Sequence, residues 1–203
     1  MTAGFDAPLR RTLENDFVRL EPLTENHRVR LSELRAAQDE EALAYLALPR
    51  PGDGFESWFD TLLAAAHAGR ECAFAVIDRT AERLVGSTRY MAITPEHRRM
   101  EIGGTWYDRT VWGTDINPAT KLLMLEHAFD EAGAIRVELK TDARNARSRA
   151  AIARLGAQEE GVFRKHMRLP DGYVRDTVYF SIVDEEWPAV RDGLKQRLGF
   201  HEG

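Results

Sequence analysis

The residues Val111-Trp112-Gly113-Thr114-Asp115-Ile116-Asn117 follow an alternating segment ending at Trp106-Tyr107 and run into an Asn-Pro pair of the kind that begins a helix. A strand, a short glycine-containing loop and a helix start together form an anion site, because unpaired backbone N–H groups and the positive end of the helix dipole converge there. A diphosphate suits such a place. The same residues are also explained without a ligand, with Gly113 making a tight turn and Asn117 capping the helix. Asp115 is awkward for an anion site, since a carboxylate repels phosphate, so its side chain is expected to turn outward while its N–H serves the loop. Lys121, one turn into the helix, either neutralises phosphate or is a solvated helix residue.

Other chemistries are excluded. No Gly-x-x-x-x-Gly-Lys-Ser/Thr segment occurs, and no Gly-x-Gly-x-x-Gly follows the first strand, which argues against a nucleotide triphosphatase or a dinucleotide enzyme. His27, His67, His97, His127, His166 and His201 show no metal-ligand spacing, so no metal is expected. The single cysteine, Cys72, excludes an intramolecular disulfide and sits in an apolar strand, where a buried structural thiol is expected. With 33 acidic against 28 basic side chains the net charge is −5, the wrong sign for holding nucleic acid through its phosphates. An amine-bearing partner suits it better. No stretch approaches the ~20 apolar residues of a membrane span, and the start lacks a basic region followed by an apolar one, so a cytoplasmic protein with no membrane partner is expected.

The elements that must position the loop read as follows. At 203 residues the chain is expected to form a single domain over 1–203, with 1–13 a flexible tail. Phe17 to Leu23 alternates as a strand. Helical spacing runs from Thr24 to about Gln38, with Val29, Leu31 and Leu34 as its apolar set. The Pro49-Arg50-Pro51-Gly52-Asp53-Gly54 breaker precedes a helix over Phe55 to His67. Strands at Cys72 to Ile77, Leu84 to Ile93 and Arg99 to Tyr107 form an antiparallel meander. Asn117 and Pro118 then begin a helix that Gly133 stops, and Ile135 to Lys140 is a strand reached by a helical crossover, hence parallel to its predecessor. Asn145 caps a helix closed by Gly156, and Ser148, three residues on, shares its face. Strands at Gly161 to Leu169 and Tyr173 to Ile182 flank the turn Pro170-Asp171-Gly172. A C-terminal helix over 184–199 carries Trp187, Val190, Leu194 and Leu198 on one stripe, against its own domain or a second subunit.

Three ordered motifs carry a resemblance: Glu101-Ile102-Gly103-Gly104-Thr105-Trp106; Trp112-Gly113-Thr114-Asp115-Ile116-Asn117; and the run from Val137 through Asp142 and Asn145 to Ser148, ending Arg154-Leu155-Gly156-Ala157. Together they resemble the GNAT superfamily, in its branch similar to ribosomal-protein N-terminal (alanine/serine) acetyltransferases. The match spans roughly residues 14–183, and 101–161 carry most of its specificity. The resemblance implies an α+β fold: a mostly antiparallel seven-stranded sheet, with a parallel, splayed central pair, flanked by helices. It also implies acetyl-CoA as acetyl donor, a protein N-terminus or small-molecule amine as acceptor, direct attack in a ternary complex, and a monomer or homodimer. A different class, an acyl-CoA-binding sensor that has lost turnover, keeps the same fold and cofactor.

Residue by residue, the family's pyrophosphate loop maps onto Gly113 and the N–H groups of Thr114, Asp115, Ile116 and Asn117, with Trp112 at its edge. Thr105, Trp106 and Tyr107 lie at the opening between the splayed strands, where the alternative for the two aromatics is packing. Glu101, on the strand entering the splay and facing opposite Met100 and Ile102, is the candidate general base, acting through water, or else an ion-pair partner. In the resembling branch an Asn at the place of Asn145 contacts the pantetheine arm and a Ser at the place of Ser148 protonates the thiolate. Many members use a helix Tyr as that acid, and Ile152 stands here instead. Arg147 and Arg149 either meet the 3′-phosphate or are solvated helix residues.

Overall fold

The computed structural model describes residues 9–39, 44–46, 48–49, 52–169 and 171–200. Arg50, Pro51 and Pro170 of the expected turns, and 1–8 of the expected tail, lie outside the described residues. In chain order the strands are β1 (Leu13–Glu14), β2 (Val18–Pro22), β3 (Cys72–Asp78), β4 (Arg83–Thr94), β5 (Arg99–Tyr107), β6 (Arg136–Asp142), β7 (Gln158–Arg168) and β8 (Val174–Val183). The helices are α1 (Arg28–Ala36), α2 (Phe55–His67), α3 (Ile116–Glu126, continued by a π-turn His127–Glu131), α4 (Ala146–Ala153) and α5 (Trp187–Arg197).

All eight strands described join one sheet in the order β1-β2-β3-β4-β5-β6-β8-β7. Every neighbouring pair is antiparallel except β5 and β6. The expected seven strands become eight because Leu13, placed in the tail by the sequence, and its neighbour Glu14 pair with Leu20 and Arg19. Two residues are too short a run for alternation to reveal.

Alternation of side chains across the strands gives the sheet two apolar faces. One packs α3, α4 and α5 through Leu122, Leu125, Ile152, Trp187 and Leu194 onto residues such as Phe74, Met100, Val137 and Phe180. The other packs α1 and α2 through Leu31, Phe55 and Phe59 onto Ala73, Ala75 and Trp106. The stripe on α5 is buried within its own domain, with Trp187 stacked on Phe129 at 5.3 Å and its Nε1 donating to Asp130 at 2.7 Å.

Two helix expectations are corrected. Val29 is 65% exposed, because it lies about 200° around the helix from Leu31; α1 packs through Leu31 and Leu34, as expected, and also buries Arg35. Asn117 is not the N-cap of α3. That helix begins at Ile116, with Asp115 in the capping position, its side chain making no cap bond, so Asn117 falls within the first turn.

Candidate active site

β5 and β6 are paired only through Arg99 with Arg136, Met100 with Val137 and Glu101 with Glu138. Beyond Glu101 they separate, and residues from Ile102 to Tyr107 and from Leu139 to Asp142 line the two walls of a cleft. β5 is still held on its other edge by β4, and β6 by β8, so the edges facing the cleft keep backbone donors and acceptors that no strand uses.

The bend has a local cause. Ser87 faces Trp106 while Arg89 faces Gly103, so β5 holds one residue more than β4 between these pairs, a bulge. Gly104 has φ +57°, and a Cβ there would come within 2.6 Å of the Arg89 side chain, while one on Gly103 would come within 2.8 Å of Met91 Sδ. The extra residue also reverses the facing of everything that follows. Met100 and Ile102 point to the α3 side, yet Trp106 joins the α1–α2 side. Thr105 and Tyr107 therefore turn toward α3.

At the far end of the cleft the chain makes a single turn over Arg109–Val111, capped by the Asp108 carboxylate, and passes through Trp112 and Gly113 into α3. Gly113 has φ +77° and nothing within 4 Å of where a Cβ would stand, an open concavity rather than a packed turn. Trp112 is fixed by its Nε1 donating to Tyr107 O at 3.2 Å, and the Arg147 guanidinium lies 3.3 Å from the centre of its ring. Thr114 Oγ1 donates to Val111 O at 2.7 Å. Asp115 is exposed and does not line the cleft. The side chain of Ile116 is buried in the core, its N–H donates to Thr114 Oγ1 at 3.4 Å, and the residue does not line the cleft.

Lys121 is not a solvated helix residue. It is 5% exposed, lines the cleft, and donates from Nζ to Thr105 Oγ1 at 2.8 Å, which in turn lies 2.8 Å from Thr88 Oγ1. Burial without a carboxylate partner pulls its ammonium down to about 7. Trp106 and Tyr107 both pack their rings into the cores, and burial pushes the Tyr107 hydroxyl well up. What they offer the cleft is backbone.

The opposite wall carries the start of α4. Asn145 is its N-cap, its Oδ1 accepting the Ser148 N–H at 3.0 Å, and Asn145, Arg147 and Ser148 all line the cleft. Arg149 is turned away and pairs with Glu159 at 3.1 Å. Glu101 is buried where the strands part, on the face opposite Met100 and Ile102, with Oε2 2.8 Å from Lys140 Nζ. The Lys140 ammonium also lies 4.5 Å from the centre of the Tyr179 ring.

The sequence and the fold that carry this cleft are matched in known proteins. The family model described as an acetyltransferase (GNAT) domain covers residues 18–158. The chain belongs to the GNAT acetyltransferase family. It is 31% identical to a GCN5-related N-acetyltransferase from Brucella melitensis, with a TM-score of 0.85 over 92% of this chain and 85% of that one. Mycobacterium smegmatis RimJ, solved in complex with CoA-disulfide, shares the GNAT fold at 24% identity, with a TM-score of 0.79 over 94% of this chain and 95% of that one. YdaF of Bacillus subtilis (strain 168), which carries the name of a ribosomal N-acetyltransferase, is 33% identical over 91 residues, 45% of this chain and 49% of that protein. The chain spans about half to two thirds of the length of the curated relatives it matches.

Sequence reasoning missed several residues of this GNAT site. Gly103 and Gly104 shape the bulge, and a glycine pair inside an otherwise alternating strand is the signal that marks one. Lys140, Arg175, Tyr45 and Arg197 also line the cleft, from β6, β8, the α1–α2 connection and α5. Nothing local in the sequence brings those four elements together.

Proposed function

We propose that the protein transfers the acetyl group of acetyl-CoA to a primary amine, by direct attack of the amine on the thioester within a ternary complex. The observation that carries this reading is the opening of β5 and β6 after Glu101 into a cleft that ends on Gly113 and the first turn of α3. The residues present fit such a donor: backbone groups along the pantetheine path, an unfilled glycine concavity for the diphosphate, Lys121 and Arg147 as cations, and the Asp115 carboxylate turned away. Names carried by relatives, among them a ribosomal N-acetyltransferase, favour a protein N-terminus over a small-molecule amine. A cytoplasmic setting goes with this reading.

In the reaction the amine nitrogen bonds to the thioester carbon, the carbon–sulfur bond breaks and the thiolate leaves. Glu101, through a water molecule, takes the proton that the amine must lose, and Ser148 Oγ gives one to the departing thiolate. No enzyme nucleophile takes part. Burial pushes the Cys72 thiol up to about 12, away from the thiolate form that a nucleophile requires.

Initial rates of thiol release, with acetyl-CoA and amine both varied, test this reading. Intersecting double-reciprocal lines are expected, and Ser148→Ala should lower kcat about tenfold with CoA affinity unchanged. Parallel lines would contradict direct attack. CoA binding with no turnover on any amine would instead fit a sensor.

A further inference from the structure

The sheet face that carries Glu101 has a row of charged side chains leading into the cleft. Antiparallel pairing sets Lys140 opposite Tyr179 and Asp142 opposite Thr177, so these side chains share that face, and Arg175, two residues before Thr177, continues it. The charges along this row cancel in pairs. Glu101 meets Lys140 at 2.8 Å, and Asp142 meets Arg144 at 2.9 Å.

Arg175 is left over. It makes no ion pair or side-chain hydrogen bond among the described residues, and its Nε is buried without an acceptor. Asp142 and Glu101 attract it without touching it. It lines the same cleft as Gly103, Lys140 and Ser148, just past the Asp142 end of β6. A guanidinium carries its charge at any physiological pH, and leaving one of its buried donors unpaired costs roughly 1–3 kcal/mol. Such groups are rarely kept without a partner. The partners fitting a planar fork of donors are a carboxylate and a phosphate, each bound through two parallel N–H···O contacts, and with the donor's diphosphate read at Gly113 the carboxylate is the one left for Arg175. The mouth of the cleft beside it is aromatic, with the Arg144 guanidinium 3.4 Å from the centre of the Tyr173 ring and 5.3 Å from that of Tyr45.

Building on the acetyl-transfer reading, we infer that Arg175 receives a carboxylate of the acceptor, so that the amines acetylated here carry an acidic group close to the nitrogen. That carboxylate belongs either to a free α-amino acid or to an acidic side chain beside a peptide N-terminus. Both present the same chemistry to Arg175.

Two matched substrate pairs test the inference and separate those sources: an α-amino acid against its amide, and a dipeptide amide with Asp in second place against the same peptide with Asn. The acid of at least one pair should have a kcat/KM about tenfold or more above its uncharged partner. Arg175→Gln should raise KM for that acid about tenfold, leave the uncharged partner within about twofold, and Arg175→Lys should restore part of the loss. Equal kcat/KM within both pairs overturns the inference, and this wild-type comparison decides even where a variant fails to fold. So does a folded Arg175→Gln protein that loses both members of a pair equally. Turnover without acid preference leaves acetyl transfer standing, whereas acetyl-CoA binding with no amine turned over removes both.

Discussion

Replacing Lys121 with Met is expected to make the free protein more stable and its grip on CoA weaker. In the free protein the ammonium is buried against Thr105 with no carboxylate, and desolvation brings it down to about 7. An unfolded chain holds that proton up to the ordinary lysine value near 10.4. Between about pH 7 and 10 the unfolded state therefore binds more protons, and the stability of the wild type rises with pH through that window. Below about pH 7 the whole penalty is present, on the order of a few kcal/mol at 1.36 kcal/mol per pH unit of displacement. Lys121→Met removes it, so denaturant unfolding should show the variant more stable by that order at pH 7, with the gap closing toward pH 10.

CoA binding should move the other way. A diphosphate within reach restores the charged form, and the loss of one charge-assisted contact of about 1.5–3 kcal/mol corresponds to roughly 10- to 100-fold weaker binding. Wild-type affinity should also fall as pH rises above about 7, because binding then has to take up a proton, and the variant should lack that dependence. Unchanged CoA affinity in Lys121→Met, measured by calorimetry, would reduce this lysine to a packing residue.

Glu101→Gln should lower kcat about 100-fold at pH 7, the lower end of what a positioned base contributes. An amine acceptor is protonated at neutral pH and must lose its proton before it can attack, so the defect should be largest at low pH and shrink above the amine's own pKa. CoA affinity should be unaffected, since the carboxylate sits where the strands part rather than along the loop. The substitution leaves Lys140 near Glu138, at 3.5 Å, which keeps its ammonium from being stranded. A pH–rate profile lowered by the same factor at every pH would make Glu101 a positioning residue for Lys140 instead of the base.

Much of the fold around the cleft was legible in the sequence. Period-2 patterns marked the central strands, and the crossover through α3 required β6 to be parallel to β5, which the register bears out. Asp115 is exposed and outside the cleft lining, the direction that electrostatics favours for a carboxylate beside an anion site. The errors came from tertiary context. α3 is buried on nearly every side, from Pro118 through Leu125, so its sequence carries no polar stripe to separate a buried Lys121 from an exposed one. The start of α3 lies two residues earlier than expected because Asp115 and Asn117 are both ordinary capping types. Arg175 was invisible because its isolation is a property of four elements meeting, and alternation in β8 says only that it shares a face with Thr177 and Tyr179.

In the acetyl-transfer reading proposed above, the donor is held chiefly by backbone groups of the splayed strands and of the loop entering α3. Hydrogen exchange of backbone amides, followed with and without saturating CoA, tests it most directly. Slowed exchange should appear in 102–107, in 113–117 and in 139–142, with little change in β1 to β3. CoA binding that leaves those three segments unprotected, or that protects a different face of the sheet, would contradict it.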